Sequence, residues 1–130
     1  MIFNKNVLIV DDEELVVNAL KRVLGKEGLI IFTANSGSEA LEVIKNHQMS
    51  VIISDYKMPV MDGIELLEKV KKTYPRTVRI LITGLDDIKK IEDSINQCGV
   101  SKIIKKPWYD KELKSSILSA VRIYNQWIVR

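Results

Sequence analysis

The stretch "VLIVDDEEL" (residues 7–15) runs four apolar residues straight into four acids. Val7 to Val10 read as the end of a buried strand, because a short Val/Ile-rich run with no polar alternation suits a strand covered on both faces. The acids then raise a physical problem. Asp11 and Asp12 repel each other, so a chain that sets them side by side where a strand stops needs something to offset that repulsion.

Similar runs recur at "LIIF" (29–32), "VII" (51–53), "VRILI" (78–82) and "KII" (102–104). Between them the apolar residues fall at helical spacing. Leu15, Ala19, Leu20 and Val23 share one face of the first helical segment, and Ala40, Leu41 and Ile44 mark the second. Ile64, Leu67 and Val70 mark the third, and Ile88, Ile91 and Ile95 the fourth. Leu113, Ile117, Ala120, Val121, Tyr124 and Ile128 define a long last helix. Ser36 with Glu39, and Asp62 with Glu65, have capping-box spacing, and Asp86 and Asp110 stand where N-caps belong. Gly25, Gly28 and Gly99 sit where helices should end. The chain therefore reads as a strand–helix unit repeated five times, which implies a parallel sheet with helices on both faces.

Composition narrows the class. The 130 residues suit one domain, expected to span 1–130, and carry a net charge of +3 with no dense Lys/Arg tract. Direct nucleic-acid binding is not expected on that basis. Cys98 is the lone cysteine, which excludes an internal disulfide and a Cys-based metal site. No run is long enough for a membrane span and no leader is evident, so the expectation is a cytoplasmic protein.

In parallel sheets of this kind ligands bind beyond the carboxyl ends of the strands. Reading those positions in turn collects Asp11 and Asp12, then Asp55, Thr83 and Lys106, while "TANSG" after the second strand adds no charge and suits an edge strand. Carboxylates gathered in this way favour a hard divalent cation with oxygen ligands, Mg²⁺ or Mn²⁺. A carboxylate beside such an ion can act as a nucleophile toward a phosphoryl group. Asp55 is the candidate, because it stands alone on a central strand.

The motifs "VDDE" (10–13), "SDYKMPVMDG" (54–63), "ITG" (82–84) and "KKPW" (105–108), in that order, resemble the response-regulator receiver domain of two-component signalling. The likeness covers essentially the whole chain. It implies a doubly wound, flavodoxin-like (βα)5 fold with strand order 2-1-3-4-5, similar to chemotaxis regulators. It also implies Asp55 as phosphoacceptor, with Asp12 as direct metal ligand, Asp11 acting on the metal through water, and the backbone carbonyl of Lys57 completing the protein ligands. Thr83 and Lys106 would bind the phosphoryl oxygens. The implied partners are a sensor histidine kinase or phosphotransfer protein as donor, and a downstream protein or output domain. An output or kinase domain would follow residue 130, and a phosphorylation-dependent dimer is compatible with the likeness. The surface made by the fourth helix, fifth strand and fifth helix would switch on phosphorylation, and Lys106–Pro107 would be cis. One departure stands out: Ile103 occupies the place of the family's switch aromatic, and Trp108 nearby is no assured substitute. Lys57 and Leu85 fall where family members tune water access.

Plainer readings apply to other residues. Glu13 and Glu14 suit a helix first turn, Lys105 a solvated position, His47 an exposed helix end and Cys98 a partly buried inert thiol. Asp11 and Asp12, taken alone, could cap the first helix. Tyr124 and Trp127 could be core or a partner surface. Three rival functions start from the same residues. A phosphohydrolase would need a D-x-D nucleophile after the first strand, which "DDEEL" lacks. A flavin-type domain would place a phosphate against four acids. A pseudo-receiver would dock partners without phosphorylation.

Overall fold

The structure, a computed structural model, describes residues 3–129; the side chains of Gln97 and of residues 127–129 lie outside that description. The orientation of Trp127 and the packing of Ile128 therefore fall outside the described residues.

Each apolar run forms a strand: β1 (Asn6–Val10), β2 (Ile30–Ala34), β3 (Val51–Asp55), β4 (Val78–Gly84) and β5 (Lys102–Lys106). Helices α1 (Glu14–Leu24), α2 (Gly37–Asn46), α3 (Gly63–Thr73), α4 (Leu85–Cys98) and α5 (Asp110–Val129) alternate with them, and a short 3-10 turn, Gly25–Glu27, follows α1. All strands are parallel, in the order β2-β1-β3-β4-β5. The topology is the flavodoxin-like one expected, with β2 and β5 at the edges.

Alternation along the strands divides the core in two. Val7 and Ile9, Val51 and Ile53, and Val78, Ile80 and Ile82 face α1 and α5, meeting Val17, Leu20, Leu24, Leu113, Ile117 and Tyr124. Leu8, Val10, Ile52 and Leu81 face α2, α3 and α4, meeting Ala40, Ile44, Leu66, Leu67, Val70 and Ile91. Tyr124 is thus core. Cys98 is fully buried rather than partly so, its thiol donates to the carbonyl of Ile95, and burial pushes its pKa up, which keeps it protonated.

The start signals hold in part. Ser36 Oγ accepts from the Glu39 N–H and Asp62 Oδ1 from the Glu65 N–H, so both are N-caps. Asp86 is not. β4 continues to Gly84, which is itself the α4 N-cap, and Asp86 lies in the first helical turn. Asp110 is the first residue of α5, and its carboxylate accepts from the Trp108 indole N–H instead of a helix amide. Gly28 and Gly99 take positive φ at helix ends as expected, but Gly25 stays right-handed and leads into the 3-10 turn. Leu15 also departs from expectation. It is 84% exposed, because α1 buries Val17, Leu20 and Leu24 and turns Leu15 outward. The Lys106–Pro107 peptide is cis.

Gly63 begins α3 against the end of β3, and a Cβ there would lie directly on the Asp55 carbonyl oxygen and press on the Leu81 side chain. Gly63→Ala is expected to cost about 2 kcal/mol or more, measured by urea unfolding, because backbone must move to admit the methyl. Gly37→Ala would meet only the flexible Met61 side chain and should cost clearly less.

Candidate functional site

At the carboxyl ends of the strands, β1 delivers Asp11, β3 delivers Asp55, β4 delivers Thr83 and β5 delivers Lys106. The register fixes their level. Asp55 pairs with Ile82, while Gly84 pairs with Lys106, so the acceptor candidate and the lysine flank the end of β4. Asp55 and Lys106 close their strands and Thr83 is the next-to-last residue of β4, so all three are strand rather than loop residues, which gives them strand rigidity.

The Lys106 ammonium lies 2.9 Å from Asp55 Oδ1 and 3.3 Å from Asp11 Oδ2. Asp11 is completely buried and Asp55 is 5% exposed, whereas Asp12 faces solvent. Carboxylate oxygens of Asp11, Asp12 and Asp55 all fall within 4.8 Å of one another. One ammonium thus contacts two of three clustered carboxylates. The donors are all hard oxygens, a set that fits a divalent cation of the magnesium type and not a soft metal. Lys57 is exposed in the loop after β3, and with Asp12, Glu13, Asp55, Met58, Pro59, Asp87 and Lys106 it lines an open cleft of about 540 Å³.

Burial pushes the Asp55 carboxyl above its ordinary range; Lys106 pulls it down without cancelling that effect, and Asp11 pushes it further up. For Lys106 burial opposes the charge, yet Asp55 and Asp11 outweigh it and hold the ammonium above the usual lysine value. Asp11 serves two roles at once. Its Oδ2 faces Lys106 while its Oδ1 accepts from the Glu13 N–H, so the capping-type contact and the acid cluster coexist. Glu13 occupies the α1 N-cap position without a side-chain cap, and Glu14 opens the helix.

Thr83 is buried on β4, one residue beyond the partner of Asp55. No gap separates β4 from α4, so Thr83, Gly84 and Leu85 form a continuous strand-to-helix passage. Ile103 is half-buried against the α2–α4 side of the core, whereas Trp108 packs on the α1–α5 side. Trp108 therefore lies across the sheet from the place an aromatic at 103 would occupy. Met58 is buried and Pro59 exposed; Lys105 is solvated and His47 is exposed, its ring 4.8 Å from that of Phe32.

Two features escaped the sequence. Asp87, in the first turn of α4, joins the cleft lining. Val60 has φ of 69° with the Met61 N–H donating to Pro59 O, a strained γ-turn for a β-branched residue, and it is fully exposed. The acidic pair after "GL" was a signal for the first; the second left none.

The family profile for the response regulator receiver domain matches residues 7–118. The chain belongs to that family. Among receiver domains of known structure, it overlays on the signal receiver domain of an HD domain-containing protein from Pseudomonas fluorescens with a TM-score of 0.92 and 29% identity, covering 100% of this chain and 96% of that one. A CheY-like response regulator receiver domain protein from Methanospirillum hungatei gives 0.87 and 29%, with 95% and 98% covered. Sporulation initiation phosphotransferase F of Bacillus subtilis is 30% identical over 114 residues, 88% of this chain and 91% of that protein. The hydrogenase transcriptional regulatory protein HoxA of Cupriavidus necator is 36% identical over 115 residues. The receiver chain spans only 24% of that regulator's length. Among its described residues, no helix is long and apolar enough to cross a membrane.

The raised Asp55 pKa has a stability consequence. A group whose folded pKa exceeds its unfolded value contributes stability that is present below the unfolded pKa and lost as pH rises through the folded one. Metal-free receiver should therefore lose stability as pH rises above the ordinary carboxyl value. Asp55→Asn should remove that loss and be more stable than wild type at pH 7, as read from urea midpoints across a pH series. An Asn variant no more stable than wild type would contradict the electrostatic account.

Proposed function

We propose that this receiver domain accepts a phosphoryl group on Asp55 from a phosphohistidine of a sensor kinase or phosphotransfer protein, and passes the change to a partner or output domain through the surface of α4, β5 and α5. The observation that carries the reading is the Lys106 ammonium lodged between Asp55 and Asp11 with the Asp12 carboxylate alongside.

An Asp55 carboxylate oxygen attacks phosphorus, the phosphorus–nitrogen bond of the donor breaks, and the imidazole leaves with the bonding pair. Lys106 stands beside the attacking carboxylate and meets the charge that the phosphoryl oxygens bring. Thr83, at the end of the adjacent strand, supplies a hydroxyl donor to one of those oxygens. Asp11, Asp12, Asp55 and the Lys57 carbonyl would hold Mg²⁺ or Mn²⁺, which when bound neutralises phosphoryl oxygens and relieves repulsion among the acids. Drawing Thr83 toward the phosphoryl group pulls on Gly84 and hence on the start of α4, since strand and helix are contiguous. With Ile103 aliphatic, the shift runs through this backbone link and not through an aromatic rotamer. The activity is a single self-modification and its slow reversal, with no turnover on phosphate monoesters.

Asp55 is nearly buried, so a protein donor must touch the surrounding rim to reach it. Leu15, Val60, Leu85 and Tyr109 are exposed there, one from each segment that follows β1, β3, β4 and β5. Such side chains are better explained by a docking partner than by folding.

With acetyl phosphate and Mg²⁺, intact mass should increase by one phosphoryl group, and neither Asp55→Asn nor a chelated sample should show the gain. Equal phosphorylation of the Asn variant would defeat the assignment. Leu15→Asp should slow transfer from a phosphohistidine protein about tenfold more than it slows reaction with acetyl phosphate, the effect of losing one apolar anchor. Equal effects on both donors would argue against rim docking.

A further inference from the structure

A second cavity lies at the opposite end of the sheet from the acceptor cleft. It has a volume of about 430 Å³ and is bounded by the end of α2 and the loop into β3, by the loop from α3 into β4, and by Tyr124 of α5. This is the lower part of the range in which small ligands are held, roughly 300–1,000 Å³. Ile44, Met49 and Tyr124 are buried in its wall, Tyr74 is half-buried, and Pro75 adds apolar surface. Tyr124 is almost wholly buried, so core packing fixes its ring.

The charges around this cavity have one sign. Among the described residues, Lys45, Arg76 and His47 line it, and no Asp or Glu does. Among the described residues, neither Lys45 nor Arg76 is paired with a carboxylate. Lys45 has a structural explanation, since it lies in the last turn of α2, where carbonyl oxygens carry partial negative charge. Arg76 has none. It follows α3 by three residues, outside that helix's last turn, and among the described residues it donates no hydrogen bond. The partial charges of the α2 and α3 ends are smaller than the formal charges set against them. The acceptor cleft is the converse, with Asp12, Glu13, Asp55 and Asp87 in its lining.

We propose that this cavity is a binding site for a small planar aromatic molecule bearing one anionic group, the ring lying against Tyr74 and Pro75 above the buried Met49 and Tyr124 and the anion meeting Arg76 and Lys45. The site is independent of Asp55 chemistry. Its occupant touches the segments that lead into β3 and β4 and one turn of α5.

His47 is the only histidine in the chain, so its imidazole gives a single resolved NMR signal at the cavity rim. The test titrates the full chain, with chelator present and no phosphodonor, with 2-naphthoate, 2-naphthalenemethanol or acetate. 2-Naphthoate should shift the His47 signal saturably, with Kd at or below about 1 mM, and the neutral alcohol and acetate should each bind at least about fivefold more weakly. Arg76→Gln should weaken 2-naphthoate about fivefold, the loss of one charge-assisted contact, with an unchanged unfolding midpoint that shows the fold intact. Absence of a saturable shift, equal binding of acetate or of the alcohol, or an unaffected Arg76→Gln variant would each overturn the proposal.

Discussion

The contact between the Lys106 ammonium and the carboxylates of Asp55 and Asp11 is the constraint around which the rest is arranged. Asp11 and Lys106 stand 95 residues apart in the chain, and a strand order of β2-β1-β3-β4-β5 is what brings their strand ends to one rim. Two nearly buried carboxylates facing each other without a cation would be strongly unfavourable. The ammonium reduces that cost without removing it, as the raised Asp55 pKa records. A folded protein that still disfavours its own carboxylate has an unmet demand for positive charge. That unmet demand is what supports the proposal of a divalent ion and a phosphoryl group at this rim.

The same arrangement decides how a change at the rim can travel. Rigid strands hold Asp55 and Lys106, and Gly63 packs so closely on the Asp55 carbonyl that the β3 end has little freedom. β4 differs, because it passes into α4 without a loop through an unconstrained Gly84. On the proposed reading, movement of Thr83 would be passed to α4, while movement of Asp55 would be resisted by α3. Ile103 and Trp108 reinforce this asymmetry. They belong to opposite halves of the core, so Trp108 does not take the place of an aromatic at 103.

Much of this was legible in sequence for a physical reason. Strands buried on both faces must be apolar throughout, so "VLIV" and "VRILI" announce themselves, and the site residues follow because they close those strands. What failed required tertiary information. Leu15 has helical spacing relative to Ala19 and Val23, but the buried stripe of α1 runs through Val17, Leu20 and Leu24, and spacing alone cannot choose between two overlapping stripes. Asp86 has N-cap chemistry, yet Gly84 both ends β4 and caps α4, so the helix starts at Leu85 and Asp86 falls in its first turn. The side of the sheet that Trp108 takes is known only from its packing against the α1–α5 half of the core, and the positive φ of Val60 carries no sequence signature at all.

The two ends of the sheet are built on different principles, and together they explain how a strained rim is tolerated. At the N-terminal end, Asn125 donates to Asn4 O and accepts from the Asn4 N–H, while the side-chain amides of Asn4 and Asn6 both donate to Gln48 O. Thr77 Oγ1 donates to Met49 O, and the Arg79 guanidinium donates to the carbonyls of Pro75, Thr77 and Gly99. These neutral or singly charged contacts close the loops and the α5 end without setting like charges together. Each such bond contributes about 1 kcal/mol net, and none depends on a metal or on protonation of an acid. Such contacts contrast with the opposite rim, where three carboxylates cluster about one ammonium, the division of labour expected when a functional site breaks local rules that the scaffold elsewhere obeys.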